Sequence, residues 1–113
     1  MNKVSKHLEN FDRLTITIIA YYETLRGFKD LGNQKKLDAF QDFIETCELV
    51  TLTKSTIDKA AEIYARLKKE GALIGDADIL IAAIALVEGL VVVTDNTSHF
   101  QRIPELRVEN WLV

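Results

Sequence analysis

Short apolar runs alternate with segments of helical periodicity along most of the chain. The β-branched run at 14–19 and the continuous apolar run at 90–94 have the length and composition of strands. The second run is apolar throughout, which is typical of a strand covered on both faces. Shorter strands are predicted at 49–52 and 107–111. Strands that alternate with helices predict an α/β fold, with a mostly parallel sheet between two layers of helices.

Apolar residues spaced by three or four positions predict the helices between these strands. Four of these segments are residues 3–13, 20–27, 33–46 and 76–88. Another helix is predicted to begin after Ser55 as its N-cap and to end at Gly71. Asp76 is predicted to cap the helix that follows. The residues expected to face the core from the helix after Ser55 are Ile57, Ala61, Tyr64 and Leu67.

The chain has 113 residues, and residues 1–113 are predicted to form a single domain. Its net charge of −3 lacks the basic excess of proteins that coat nucleic acid unspecifically, so any RNA contact must be local. Cys47 is the only cysteine, which excludes an internal disulfide and a cysteine-rich zinc site. The polar N-terminus lacks the apolar core of a signal peptide, and the longest apolar stretch, 79–87, is too short to span a bilayer. Both features predict a cytoplasmic protein without a membrane partner.

Acidic residues follow predicted strands or open a predicted helix at three places. Glu23 follows the run at 14–19, Asp78 lies at the start of the apolar helix 76–88, and Asp95 directly follows the run at 90–94. Each acid has a purely structural alternative, as a helix-terminal acid or a turn residue. Ligand sites in open α/β sheets lie at the carboxyl ends of the strands, where these acids could converge. Clustered carboxylates repel each other unless cations bind, and Mg²⁺ or Mn²⁺ at such a cluster can assist phosphodiester hydrolysis.

Residues 75–111 resemble the C-terminal half of PIN-domain ribonucleases of the VapC toxin type. The matching residues are Asp78 with the five that follow it, Gly89, Thr94, Asn96, Phe100, Arg102, Pro104, Leu106 and Trp111. Upstream, the segment ITIIAYYETLRG at 16–27 resembles the family's second strand followed by its catalytic glutamate. The resemblance covers essentially the whole chain, and the combination of these pieces is more specific than any one of them.

The resemblance implies a three-layer α/β/α PIN-like fold and a Mg²⁺ or Mn²⁺ site made by three or four acids. It implies endonuclease activity on RNA such as tRNA or rRNA, a VapB-like antitoxin that blocks the site, and a homodimer. By position, Glu23 and Asp78 match the family's second and third acids. The fourth place is Asn96, and the adjacent Asp95 can substitute for it. The expected catalytic residues are therefore Glu23, Asp78 and Asp95, and Asn96 joins them as a metal ligand.

The chain departs from the family at its front, where the family has a central strand that ends in the first metal-binding aspartate. No such strand precedes residues 14–19, and Asp12 comes before a strand instead of after one. A gap is therefore expected between the strands at 14–19 and 90–94, to be filled by rearrangement, by another chain, or by residues encoded upstream. The alternative function is a catalytically impaired remnant that only dimerises or binds an antitoxin. His99 is isolated in the sequence and is predicted to be an ordinary surface residue.

Overall fold

The fold is an α/β arrangement in which helices connect the strands of one five-stranded sheet. The computed structural model describes residues 4–7, 14–94 and 96–110, with the backbone alone for 4–7. The strands in those segments are β1 (Val4–His7), β2 (Thr15–Thr17), β3 (Glu48–Val50), β4 (Leu90–Val93) and β5 (Val108–Glu109). The helices are α1 (Ile18–Leu31), α2 (Gln34–Glu45), α3 (Lys54–Lys69), α4 (Asp76–Glu88) and α5 (Thr97–Phe100).

The sheet has the strand order β3-β2-β1-β4-β5. β2 pairs with β3 in parallel, and β4 pairs with β5 in parallel. β1 pairs antiparallel with both of its neighbours, so β2, β3, β4 and β5 all run in one direction. The prediction of a mostly parallel sheet is therefore confirmed.

The central place of the sheet, where a gap was expected, is filled by β1. Four residues of β1 pair with β4, from Val4 opposite Val93 to His7 opposite Leu90, and Ser5 pairs with Thr15 of β2. The predicted helix over 3–13 is therefore wrong at 4–7, because these backbone groups bond to the two central strands instead of to each other. Residues 3 and 8–13 lie outside the described part of the chain.

The connections between parallel strands place helices on both faces of the sheet. The chain moves towards one edge from β2 to β3 through α1 and α2, and returns across the sheet to β4 through α3 and α4. Right-handed connections in opposite directions lie on opposite faces, which gives the expected three layers. No helix in the described segments combines the length and the apolar character that crossing a bilayer requires.

Helix α4 is the centre of the core. Six of its apolar residues are buried: Ile79, Ile81, Ala82, Ala83, Ile84 and Ala85. A helix that is apolar on nearly all sides is stable only inside a protein, and this one packs against α3 and β4. It ends at Gly89, whose φ of +69° lies in the left-handed region that favours glycine. Its predicted bounds, 76–88, are confirmed.

Helix α3 differs from the prediction in its cap and in its buried face. Thr53 is the N-cap, and it forms a reciprocal capping box with Thr56: the Thr56 amide donates to the Thr53 hydroxyl over 3.2 Å, and the Thr53 amide donates to the Thr56 hydroxyl over 2.7 Å. Ser55 is exposed. The buried residues are Thr56, Ala60, Ile63 and Leu67, so the prediction for Ile57, Ala61 and Tyr64 is wrong. The buried face begins at Thr56, whose hydroxyl can be buried because it accepts a hydrogen bond from the Thr53 amide. A pattern that counts only apolar residues overlooks this threonine.

Two arginines fix the segment after α5 to the helices around it. Arg102 donates from Nη1 to the carbonyl oxygens of Ala72 and Leu73, at 3.2 and 2.9 Å, in the loop that leads to α4. Arg66 of α3 forms a two-pronged ion pair with Glu105, at 3.1 and 2.6 Å. The hydrogen bonds from Arg66 lower the pKa of the Glu105 carboxyl and raise that of the guanidinium. These contacts position the start of α4 relative to the residues that follow β4.

Candidate active site

The carboxyl ends of β2 and β4 lie at the same edge of the sheet, because the two strands run in the same direction. Helix α1 begins directly after β2, and α5 begins four residues after the end of β4. Helix α4 leads into the start of β4, so its own first turn lies back at the edge where β4 ends. We call this edge the carboxyl rim. The elements that carry Glu23, Asp78 and Asn96 all begin or end at this edge.

Glu23 is carried by helix α1, which begins at the carboxyl rim. The helix begins at Ile18, two residues earlier than predicted, because the Thr17 hydroxyl accepts a hydrogen bond from the Ala20 amide over 3.0 Å and caps it. Glu23 then falls in the second turn of α1, and its side chain is half-buried. α1 packs against α4, so Glu23 and Asp78 are carried by neighbouring helices.

The first turn of α4 carries Asp78. The predicted cap, Asp76, is wrong: Gly75 holds the N-cap position in an extended conformation, and Asp76 is the first helical residue and is exposed. Asp78, two residues further on, is only 6% exposed. A carboxylate in the first turn is favoured by the helix dipole, but one buried beside isoleucines must also be compensated by polar neighbours. The alternative of a solvent-exposed first-turn acid therefore does not hold for Asp78.

The loop after β4 brings Asn96 to the same rim. The hydroxyl of Thr94, a buried residue, accepts a hydrogen bond from the Asn96 amide over 3.0 Å, which fixes a tight turn. Asn96 is half-buried, and its side-chain oxygen accepts a bond from the Ser98 hydroxyl over 3.4 Å. Asp95 lies between Thr94 and Asn96 in the sequence and is outside the described residues.

His99 connects the first turn of α4 to the loop after β4, a contact that no pattern in the sequence indicates. Its Nδ1 lies 3.1 Å from Oδ2 of Asp78 and 2.9 Å from Nδ2 of Asn96. The prediction of an ordinary surface histidine is therefore wrong. His99 lies 21 positions from Asp78 in the chain, and only the packing of α5 against α4 brings the two together. The one available signal is its position three residues after Asn96, at the end of a helix too short to show a periodic pattern.

The rim supplies part of a ligand set for a hard cation. Carboxylate and amide oxygens, as in Glu23, Asp78 and Asn96, are ligands that Mg²⁺ and Mn²⁺ prefer, so the donor chemistry fits these ions. Within residues 4–7, 14–94 and 96–110, however, no three histidine, cysteine or acidic side chains lie close enough together to hold a metal ion. The three-acid site predicted from the sequence includes Asp95, which lies outside the described residues.

Comparison with known proteins bears on what this rim does. The PIN domain family matches residues 2–106 of the chain. The tRNA(fMet)-specific endonuclease VapC of Salmonella typhimurium is 34% identical over 103 residues, which span 90% of this chain and 78% of that protein. Ribonuclease VapC1 of Methanocaldococcus jannaschii is 33% identical over 100 residues, which span 88% of this chain and 71% of that protein.

The fold is also similar to that of solved structures. VapBC-1 from nontypeable Haemophilus influenzae superposes with a TM-score of 0.81 at 28% sequence identity. The match covers 92% of this chain and 78% of the matched one. The likeness therefore covers nearly all of the chain.

Proposed function

Because the chain belongs to the PIN-domain family, in its VapC ribonuclease branch, we propose that it hydrolyses RNA phosphodiester bonds at the carboxyl rim. The proposal assigns the catalytic roles to Glu23, Asp78 and Asp95, with Asn96 as a further ligand. tRNA or rRNA is the expected class of substrate, since one of the relatives is a tRNA-specific endonuclease.

The burial of Asp78 is the observation that carries this assignment. Asp78 is only 6% exposed and is followed in α4 by a run of isoleucine, leucine and alanine from Ile79 to Leu86. Burying a carboxylate there costs free energy that an apolar residue would not, and a functional role explains why an acid stands at this position. Replacing it by an apolar residue would continue the core, as at Ile79 and Ile81. Its place at the carboxyl rim is where an α/β sheet binds its ligands.

PIN-domain ribonucleases generally depend on a divalent metal ion, and we assign Mg²⁺ or Mn²⁺ to the rim. Bound there, such an ion would activate water and stabilise the charge that builds on the phosphate. Asp78 and Glu23 would hold it from α4 and α1, and Asp95 and Asn96 from the loop after β4. The turn that the Thr94 hydroxyl fixes orients that loop before any ion binds.

Substrate contacts outside the rim are expected from the exposed cations of α1 and α2. These are Arg26, Lys29, Lys35 and Lys36. Arg26 lies three residues after Glu23 and therefore on a neighbouring part of the same helix face, with its guanidinium 5.1 Å from the centre of the Tyr22 ring. Because the net charge of the chain is −3, affinity for a phosphate backbone has to come from individual exposed cations such as these.

The similarity to VapBC structures supports a protein partner for this chain as well as RNA hydrolysis. The matched Haemophilus influenzae structure is VapBC-1, a complex of the two proteins that its name joins. We therefore assign this chain a VapB-like antitoxin as its partner, bound so that it blocks the rim. From the resemblance to VapC ribonucleases we also propose a homodimeric state and a cytoplasmic location. We further propose that residues 1–113 act as a single domain.

A binding module without catalysis is the second candidate. The observation in its favour is that, among the described residues, no three histidine, cysteine or acidic side chains lie close enough together to hold a metal ion. Such a protein would still bind an antitoxin, but its behaviour would not depend on Glu23 or on a metal ion.

Cleavage of a labelled RNA by the purified chain tests the proposal. We expect cleavage with Mg²⁺ or Mn²⁺, none with EDTA, and a rate at least about 100-fold lower for Glu23→Gln, as for loss of a group that stabilises the transition state. The variant is purified in parallel to exclude a contaminating nuclease. A folded wild-type chain that cleaves no RNA with either metal would instead support the binding module.

A further inference from the structure

We propose that His99 is a positioning residue, which holds the Asp78 carboxylate against the loop after β4 and so fixes both sides of the catalytic rim. This role rests on the proposed function, because its consequence is the affinity of the rim for a metal ion. It assigns His99 no contact with the RNA and no transfer of a proton.

The geometry around Nδ1 of His99 is the basis of the proposal. This nitrogen faces Oδ2 of Asp78 at 3.1 Å and the side-chain amide of Asn96 at 2.9 Å. An ionised carboxylate only accepts hydrogen bonds, so the Nδ1–H form of the ring is the one that binds Asp78. With the proton on Nδ1, the Asn96 amide has to face it with its oxygen instead of the Nδ2 atom placed there, an exchange that the similar shape of the two ends permits. Nδ2 then faces the Ser98 hydroxyl oxygen, which can accept a hydrogen bond in place of the one that Ser98 now donates. One N–H group then joins the first turn of α4 to the loop after β4.

The burial of the neighbouring residues makes this contact a rigid one. The side chain of Asp78 is 9% exposed and that of His99 is 39% exposed, so the bond forms at the edge of the core while the far side of the ring reaches solvent. Phe100, the next residue, is fully buried, and Ile103 is 1% exposed, which anchors the backbone that carries the ring. Holding Oδ2 fixes the orientation of the whole carboxyl group, as partners of metal ligands commonly do.

Two substitutions of similar polarity separate this role from others. The side-chain amide of asparagine falls where Nδ1 of histidine lies, whereas that of glutamine falls where Nε2 lies. His99→Asn therefore keeps a donor towards Asp78, and His99→Gln removes it. Neither side chain titrates, so a difference between them cannot arise from proton transfer.

Calorimetric titration of Mn²⁺ into the two variants and the wild-type chain is the test. We expect His99→Gln to bind Mn²⁺ about 10-fold or more weakly, and His99→Asn to stay close to wild type, with equal melting temperatures for both variants. Equal weakening of both variants, or no weakening of either, would overturn the proposal.

A measurement without metal distinguishes a failure of this role from a failure of the proposed function. ¹⁵N NMR of the neutral His99 ring is expected to show the proton on Nδ1, and a proton on Nε2 would overturn the positioning role alone. A wild-type chain that binds no Mn²⁺ would overturn the proposed function, and this role with it.

Discussion

Asp78 and His99 show how a residue's role depends on neighbours that are distant in sequence. Asp78 could be picked out from the sequence, because an acid at the start of an apolar helix is unusual in itself. His99 could not, because its contact with Asp78 spans 21 positions and depends on how α5 packs. Asp95 remains a prediction from its place between Thr94 and Asn96.

Burial also separates two core residues that the helical pattern of α4 treats alike. Ile84 is fully buried, whereas Leu80 is only partly buried against the core. We expect Ile84→Ala to lower the free energy of unfolding by about 3 kcal/mol, because it leaves a cavity, and Leu80→Ala by clearly less. Urea denaturation of the two variants checks this. Equal losses would mean that the buried face of α4 is misplaced.

At the scale of single elements, local signals located helices α1 to α4 and strands β2 to β5 but missed α5 and β1. Helix α2 lies within its predicted range, 33–46, with Asn33 as its N-cap instead of its first helical residue, and α4 has its predicted bounds. β1 was missed because Val4–His7 has no strand-like pattern of its own, and its pairing depends on the unpaired edges of β2 and β4. The backbone groups of β2 and β4 that β1 pairs with come together only in the folded molecule, so no local pattern in the sequence indicates this strand.

The N-terminus of α3 allows a direct test of which residue caps the helix. Thr53→Ala removes the hydroxyl that accepts the hydrogen bond from the Thr56 amide. We expect it to lower the free energy of unfolding by about 1 kcal/mol. Ser55→Ala, two residues away and exposed, is the matched control and should change stability by only a few tenths of a kcal/mol. Chemical denaturation of both variants measures the two losses of unfolding free energy. A larger loss for Ser55→Ala than for Thr53→Ala would contradict Thr53 as the N-cap.

For the whole molecule, the direction of the strands matters more than their number. The sequence was sufficient for the α/β class, because apolar runs alternate with amphipathic segments, and for the PIN-domain family, whose model matches residues 2–106. It did not predict that an antiparallel β1 would take the central place, between two strands that run together. That arrangement keeps the carboxyl ends of β2 and β4 at one rim, where α1, α4 and the loop after β4 bring their polar residues.

The central claim is that the buried carboxylate of Asp78 makes this rim a ribonuclease site. Its most direct test compares RNA cleavage rates of Asp78→Asn and Asp76→Asn in Mg²⁺, with circular dichroism confirming that both fold. The two acids lie in the same turn of α4, but Asp76 is exposed and Asp78 is buried. The account predicts that Asp78→Asn loses about 100-fold or more in rate, while Asp76→Asn cleaves like the wild-type chain. Unchanged cleavage by folded Asp78→Asn would contradict it.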